Sequence, residues 1–301
     1  MSEKEKLPIV CLQIRVSRWP GQTKLTPSDI NLDEDSIADN VVLGHRKLYP
    51  ESWRKQFGNL QGKAVNYLKN NSLPFILDTV RAVPRMRIDK IVTNLNAFRD
   101  QYMDLVEEFI QSREEIIFHM LQDYPDTFSA SDMPEPAKLR KRFKMNWIIF
   151  EVRGADTSEL DSEELTAAFN QAQQEVNEKL AQFVEESVIL LRKKIGQTVE
   201  ALAAKLKDGK VVKNSSLESV KNIHSWFKEL NVFGDKDIDN ALEKLKNALP
   251  EDAAFFKGNK DLQMQVSKLA DEVMKKAAVL DDLGNITAKY TRVVEVEEEA
   301  A

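Results

Sequence analysis

The sequence predicts a mainly α protein, in which long antiparallel helices form an elongated bundle beside a small β-sheet. Three observations predict it. From Ile88 the apolar positions Ile91, Leu95, Phe98, Tyr102, Leu105, Phe109 and Ile116 advance in steps of three and four. Their mean is about 3.5, the period of a coiled-coil seam. From Leu165 a longer stripe runs through Phe169, Ala172, Val176, Leu180, Val184, Val188, Leu191, Ile195, Val199, Leu202 and Leu206. Its mean is nearer about 3.7, the period of a straight helix or an eleven-residue repeat. Two short stretches, near 9–16 and 146–153, have the pattern of strands instead.

Taken in order, Met1 to Lys6 are polar and start no element. Ile9 to Val16 alternates, with Val10, Leu12, Ile14 and Val16 against Gln13 and Arg15, so it reads as a half-buried strand. Trp19-Pro20-Gly21 ends it in a turn, because proline fixes φ and glycine accepts the conformation that follows. Thr23 to Asn40 is rich in Asp, Ser and Pro and reads as loop with short helical turns. Tyr49 to Leu68 reads as a helix started by Pro50, and Pro74 and Pro84 bracket an irregular or extended piece.

The first long helix is expected from Arg87 to Asp123, stopping at Tyr124-Pro125. A link with Pro134 and Pro136 leads to a basic helix over Ala137 to Lys144. Asn146 to Arg153 is apolar on both faces, as in a strand buried on both sides, and it can pair with Ile9 to Val16. Gly154 and Asp156 to Ser158 break the chain before the second long helix. Asp161 or Ser162 would cap that helix, and Asp208-Gly209 would end it. Three shorter amphipathic helices follow, marked by Leu217 to Leu230, Ile238 to Leu249 and Leu262 to Leu280. The end of the chain carries Glu297, Glu298 and Glu299 and reads as a short strand or an acidic tail. The division expected is 1–154, holding the sheet and the first long helix, and 155–301, holding the second long helix and the helices after it, with one continuous domain as the alternative.

Composition narrows the function. Of 301 residues 31% are charged and 42% hydrophobic, which suits helices with long polar faces. Ten glycines leave little supply for glycine-rich ligand loops, and there is no phosphate loop, dinucleotide fingerprint or G-x-S-x-G elbow. A net charge of −6 argues against general nucleic-acid binding while leaving room for a local basic patch. The lone Cys11 excludes an internal disulfide and, inside a strand, reads as a buried structural thiol. No leader and no apolar run of about 18 residues is present, so a cytoplasmic protein without a standing membrane span is expected.

The three histidines, His45, His119 and His224, share no metal-ligand spacing, and His119 reads as a core or interface residue. The carboxylates Glu107, Glu108, Glu114 and Glu115 read as a solvated helix face, because di-iron binding would need Glu-x-x-His pairs. No catalytic, cofactor-binding or metal-binding residue is assigned. Three features point to contacts. Lys138, Arg140, Lys141, Arg142 and Lys144 put five cations within seven positions, for a nucleic-acid or protein partner or for acidic helices of the chain itself. Arg85 and Arg87, with Arg81 and Lys90, gather cations at a helix start. There they oppose the helix dipole and need a local partner. Trp19, near Tyr49 and Trp53, is either an interface anchor or a cap on the sheet.

The segment Cys11 to Val16 with Trp19-Pro20-Gly21-Gln22-Thr23-Lys24-Leu25-Thr26-Pro27-Ser28-Asp29 resembles the opening of DUF3150, a bacterial and phage family of unknown function. Phe143, Trp147 and Phe150 resemble that family's F-x-x-x-W-x-x-F element. The resemblance covers about the first 150 residues and carries no catalytic residue. It implies a gene neighbourhood with MoxR-type AAA+ ATPases and von Willebrand A proteins, hence an adaptor or substrate role beside an ATPase. The leading expectation is a non-enzymatic helical scaffold or adaptor, self-associating or bound to a partner. The alternatives are a membrane-active, pore-forming-like oligomer and a nucleic-acid-binding accessory protein using 138–144.

Overall fold

A computed structural model describes residues 7–30, 43–152 and 163–280, with Leu283, Gly284 and Ile286. The chain is mainly helical with a small sheet. Its first half runs β1 (Ile9–Ser17), β2 (Gln22–Lys24), β3 (His45–Lys47), α1 (Glu51–Asn70), β4 (Leu73–Pro74) and β5 (Arg81–Pro84). There follow α2 (Ile88–Gln111), α3 (Arg113–Asp123), α4 (Pro136–Arg142) and β6 (Lys144–Phe150). The remainder is α5 (Glu163–Lys207), α6 (Asn214–Leu230), α7 (Lys236–Ala248) and α8 (Lys260–Ala278).

The two strands read from the sequence are neighbours in one sheet, ordered β4-β5-β1-β6. The piece between Pro74 and Pro84 supplies the other two strands. β5 runs antiparallel to β1, with Ile9 opposite Pro84 and Leu12 opposite Arg81, and β4 sets Leu73 opposite Ala82. β2 and β3 form a separate antiparallel pair that the loop reading of this region missed. One strand expectation is corrected. β6 spans 144–150 and is not buried on both sides, since Ile148 and Ile149 are each 43% exposed. An end strand of a sheet has one neighbour only, so its apolar residues need not be enclosed.

The first long helix is also corrected: it is two helices, α2 and α3, broken at Ser112 with ψ near 4°. Hydrogen bonds bridge the break, since the Ser112 N–H donates to Glu108 and the Ile116 N–H to Ser112. The seam positions Ile91, Leu95, Tyr102, Leu105 and Phe109 are buried within the chain. Their period therefore records intramolecular packing, and a coiled coil with an outside partner is not needed to explain it. His119 is exposed, with Glu115 one turn away, whereas its neighbour Met120 is buried.

The second long helix is continuous over 45 residues and ends at Lys207, before Asp208 and Gly209 (φ +62°). Its stripe is buried only from Phe183 onward. Val176 stands 36% exposed, and the side chains of 163–170 lie outside the described residues. So do the Asp161/Ser162 cap, the break at 154–158 and the tail from 291 to 301.

The chain forms two compact units, interleaved in sequence where a boundary near 154 was expected. The first takes Met1–Leu12, Asn71–Ile88 and Ile149–Ala301, as far as these are described; the second takes Gln13–Asn70 and Asp89–Ile148. In the first, α5 packs on α6 and α8, and α7 on α6 and α8. Its core is mostly aliphatic: Val188, Leu191, Ile195 and Val199 meet Val220, Leu242, Leu245 and Val266, with Phe227 among them. Inside it the Arg192 Nε–H donates to Asp235 Oδ2 at 2.7 Å, with the two side chains 1% and 2% exposed. Asp235 also caps α7, accepting from the Ile238 N–H, and Arg192 reaches the Val279 carbonyl.

In the second unit the core is aromatic. Phe109 lies 5.1 to 6.4 Å from the rings of Trp19, Tyr49, Trp53, Phe57 and Phe143, mostly edge-on, the arrangement that ring quadrupoles favour. Gly21, at φ +54°, passes directly over Tyr49, where a Cβ would fall 1.7 Å from the ring. Only glycine fits there.

Candidate interaction surface

The basic cluster read from the sequence lies in the second unit. Arg113 begins its placement: its guanidinium donates to the carbonyls of Met133 and Pro134, both at 3.0 Å, which holds the link before α4. Pro136 at the first helical position then starts α4, where its missing N–H costs no hydrogen bond. Leu139 and Phe143 are buried against the aromatic core, and this fixes which way the cations point. Lys138, Arg140, Lys141, Arg142 and Lys144 are all exposed.

The five cations are not equivalent. Arg140 is taken up by Glu107 of α2 in a two-pronged pair, Nε to Oε1 at 2.7 Å and Nη2 to Oε2 at 2.6 Å. The hydrogen bond from Arg140 holds the Glu107 carboxyl below its ordinary range. Lys138, Lys141, Arg142 and Lys144 have no carboxylate within ion-pair distance among the described residues. One of the five thus meets an acidic helix of the same chain, and four face solvent.

β6 continues this surface. Met145 enters the aromatic core and Trp147 lies under the Arg99 guanidinium, 5.4 Å from its ring. By the alternation of a strand, Lys144, Asn146 and Ile148 face the other way, and all three are exposed. In the neighbouring strand β1, Ile14 and Val16 pack on the aromatic core, so Arg15 faces outward on the same side as Lys144. Periodicity could have found this role for Arg15, since it stands between two inward positions.

The other contact candidates have local partners. Trp19 is 3% exposed and stacks on Tyr49 at 5.4 Å, so its indole packs the core and is not displayed as an anchor. Arg87 is buried and pairs with Glu229 at 2.8 Å and with Asn71 at 2.9 Å. Arg85 pairs with Glu151, and Arg81 donates to Ser72. These acceptors offset the cations that a helix start disfavours. Burial pushes the Cys11 thiol up to about 11, so the group stays protonated at neutral pH.

The family comparison extends the earlier resemblance. The profile of DUF3150, a protein family of unknown function, matches residues 7–251. The chain belongs to this family. The match takes in α5, α6 and α7 as well as the sheet, and so reaches well past the first 150 residues. No curated protein and no solved structure matches the chain. No described helix is long and apolar enough to cross a membrane.

Proposed function

We propose that the chain is a non-enzymatic helical scaffold or adaptor acting through protein–protein contacts. The observation that carries this reading is the exposed surface of α4 and β6. There Lys138, Lys141, Arg142 and Lys144 stand without a carboxylate partner among the described residues, in a chain whose net charge is −6. An acidic chain gains long-range attraction for acidic partners only where its cations are gathered and left unpaired. Neighbourhood with MoxR-type AAA+ ATPases, implied by the family resemblance, makes an ATPase of that class the first partner to test. Affinity purification of the full chain, with light scattering after size exclusion, tests the reading. Recovery of a defined partner or a stable oligomer is expected. A strict monomer that recovers nothing overturns it.

The same four cations also favour a second reading, an accessory protein that contacts nucleic-acid phosphates. Reversing Lys141 and Arg142 to Glu is the informative change, because Arg140 is already held by Glu107. Under this reading the reversal removes a measured DNA or RNA affinity together with its salt dependence. An unchanged affinity excludes the patch.

A further inference from the structure

We propose that the outer edge of β6, with the basic turn that precedes it, docks an acidic segment of another protein in extended conformation, which joins the sheet as an added strand. The inference rests on the adaptor reading and gives its partner a chemistry.

β6 ends the strand order β4-β5-β1-β6, so one row of its N–H and C=O groups meets no described strand. Such a row is a template for a further strand unless something blunts it. A single lysine on an edge is a common blunting device, and Lys144 alone would suggest no more. Two observations go beyond it. Ile148 is 43% exposed on the same strand, the opposite of what a guarded edge displays. Lys138, Lys141 and Arg142 on α4, which leads into β6, and Arg15 on the neighbouring β1 add four more exposed cations, none of them paired with a carboxylate among the described residues.

Charge selects among the occupants. β6 itself carries no carboxylate, so a second copy pairing β6 with β6 would leave the cations of both copies unpaired. A nucleic acid would use the cations but leave both the row of backbone groups and Ile148 without a role. An extended acidic segment uses all three. Its backbone completes the ladder, a carboxylate on the side shared with Lys144 meets that cation, and an apolar residue four positions away on the same side covers Ile148. An acidic and an apolar residue four positions apart, within an otherwise acidic extended stretch, is the sequence pattern such a partner would carry.

The test uses the full chain and a fluorescein-labelled extended peptide with glutamate and valine four positions apart among glutamates and threonines, followed by fluorescence anisotropy. Saturable binding is expected, weakened about tenfold in the variant Lys141→Glu/Arg142→Glu/Lys144→Glu. Far-UV circular dichroism checks that this variant is folded. Two isomeric peptides, each N-methylated on alternate amides, separate backbone pairing from charge. Only the isomer methylated on the side facing β6 should lose binding. Absence of saturable binding, equal binding by both isomers, or displacement of the peptide by a single-stranded oligonucleotide at lower concentration overturns the proposal. Affinity purification separates this from the parent reading. If the triple variant recovers the same partners as the wild type, the adaptor reading stands and the β6 edge is not its site.

Discussion

The two units stabilise their interiors differently. The first is built mostly from aliphatic stripes on α5 to α8 and contains a fully enclosed ion pair, Arg192 with Asp235. The second is built from rings that come from two helices and the connections beside them and meet around Phe109. Aliphatic helix faces tolerate rearrangement, because leucine, valine and isoleucine can exchange partners along a stripe. Interlocking rings do so less readily, since each is oriented by its neighbours. Basic residues are displayed from the unit whose core is held in this more exacting way.

The largest loss is expected from Phe109→Ala. It removes the ring that five others surround, and neighbours fixed edge-on cannot close the space. A cost of about 3–5 kcal/mol is expected in urea denaturation. A cost below about 2 kcal/mol would mean that the aromatic core collapses as easily as an aliphatic one. The two cores would then respond alike to a lost side chain.

Asp235→Ala probes the other unit. It strands the Arg192 guanidinium in an apolar core and removes the cap of α7, at a cost of about 3–5 kcal/mol. Replacing both partners, as Arg192→Met with Asp235→Ser to keep a cap, should recover most of that loss, because no buried charge remains. If the double variant is as unstable as the single one, the pair itself and not the stranded charge determines the loss.

These two sites show what the sequence made legible. The stripes of α5 to α8 could be read because periodicity is local: Val188, Leu191, Ile195 and Val199 announce one face without reference to anything distant. Arg192 lies on the same stripe, four residues after Val188 and three before Ile195, but an apolar period does not announce a buried cation. The aromatic core was not legible. Trp19, Tyr49, Phe109 and Phe143 are far apart in sequence and share no period. The strand pair β1–β6 was found, but β5, the antiparallel partner that completes β1, was hidden in a short proline-bracketed piece. For the candidate surface, the five cations were evident from the sequence alone. Their inequality was not, because it depends on Glu107 lying 33 residues away along the chain.

Gly21→Ala tests how exacting the aromatic unit is at its rim. The added methyl would fall on the Tyr49 ring, and the residue would keep a positive φ. Such a change commonly costs more than about 1 kcal/mol, read as a lower thermal midpoint. The same substitution at Gly209, whose Cβ would meet nothing, keeps the backbone strain and omits the clash. The difference between the two variants therefore isolates the contact with Tyr49. Equal losses would show that backbone strain alone accounts for the effect.

The smallest expected effect is a pH dependence confined to the aliphatic unit. His224 on α6 is 3% exposed, and neither ring nitrogen has a hydrogen-bond partner among the described residues. Burial lowers its pKa from the ordinary 6.5, and Lys246 and Lys228 push the same way against Asp239 and Glu243. A base that is harder to protonate when folded leaves the unfolded chain binding more protons below 6.5. Its contribution to stability is therefore complete above that pH and is lost as pH falls toward the lowered value. Urea midpoints at pH 7.5 and 5.5 should diverge more in the wild type than in His224→Leu, which keeps the apolar volume and has nothing to titrate. Equal divergence in the two proteins would assign the acid sensitivity to carboxylates elsewhere. A larger divergence in His224→Leu would mean that the protonated ring is stabilised when folded, with Asp239 the acceptor nearest in charge. The aliphatic unit would then hold a second buried ion pair, formed only in acid, beside the permanent one at Arg192.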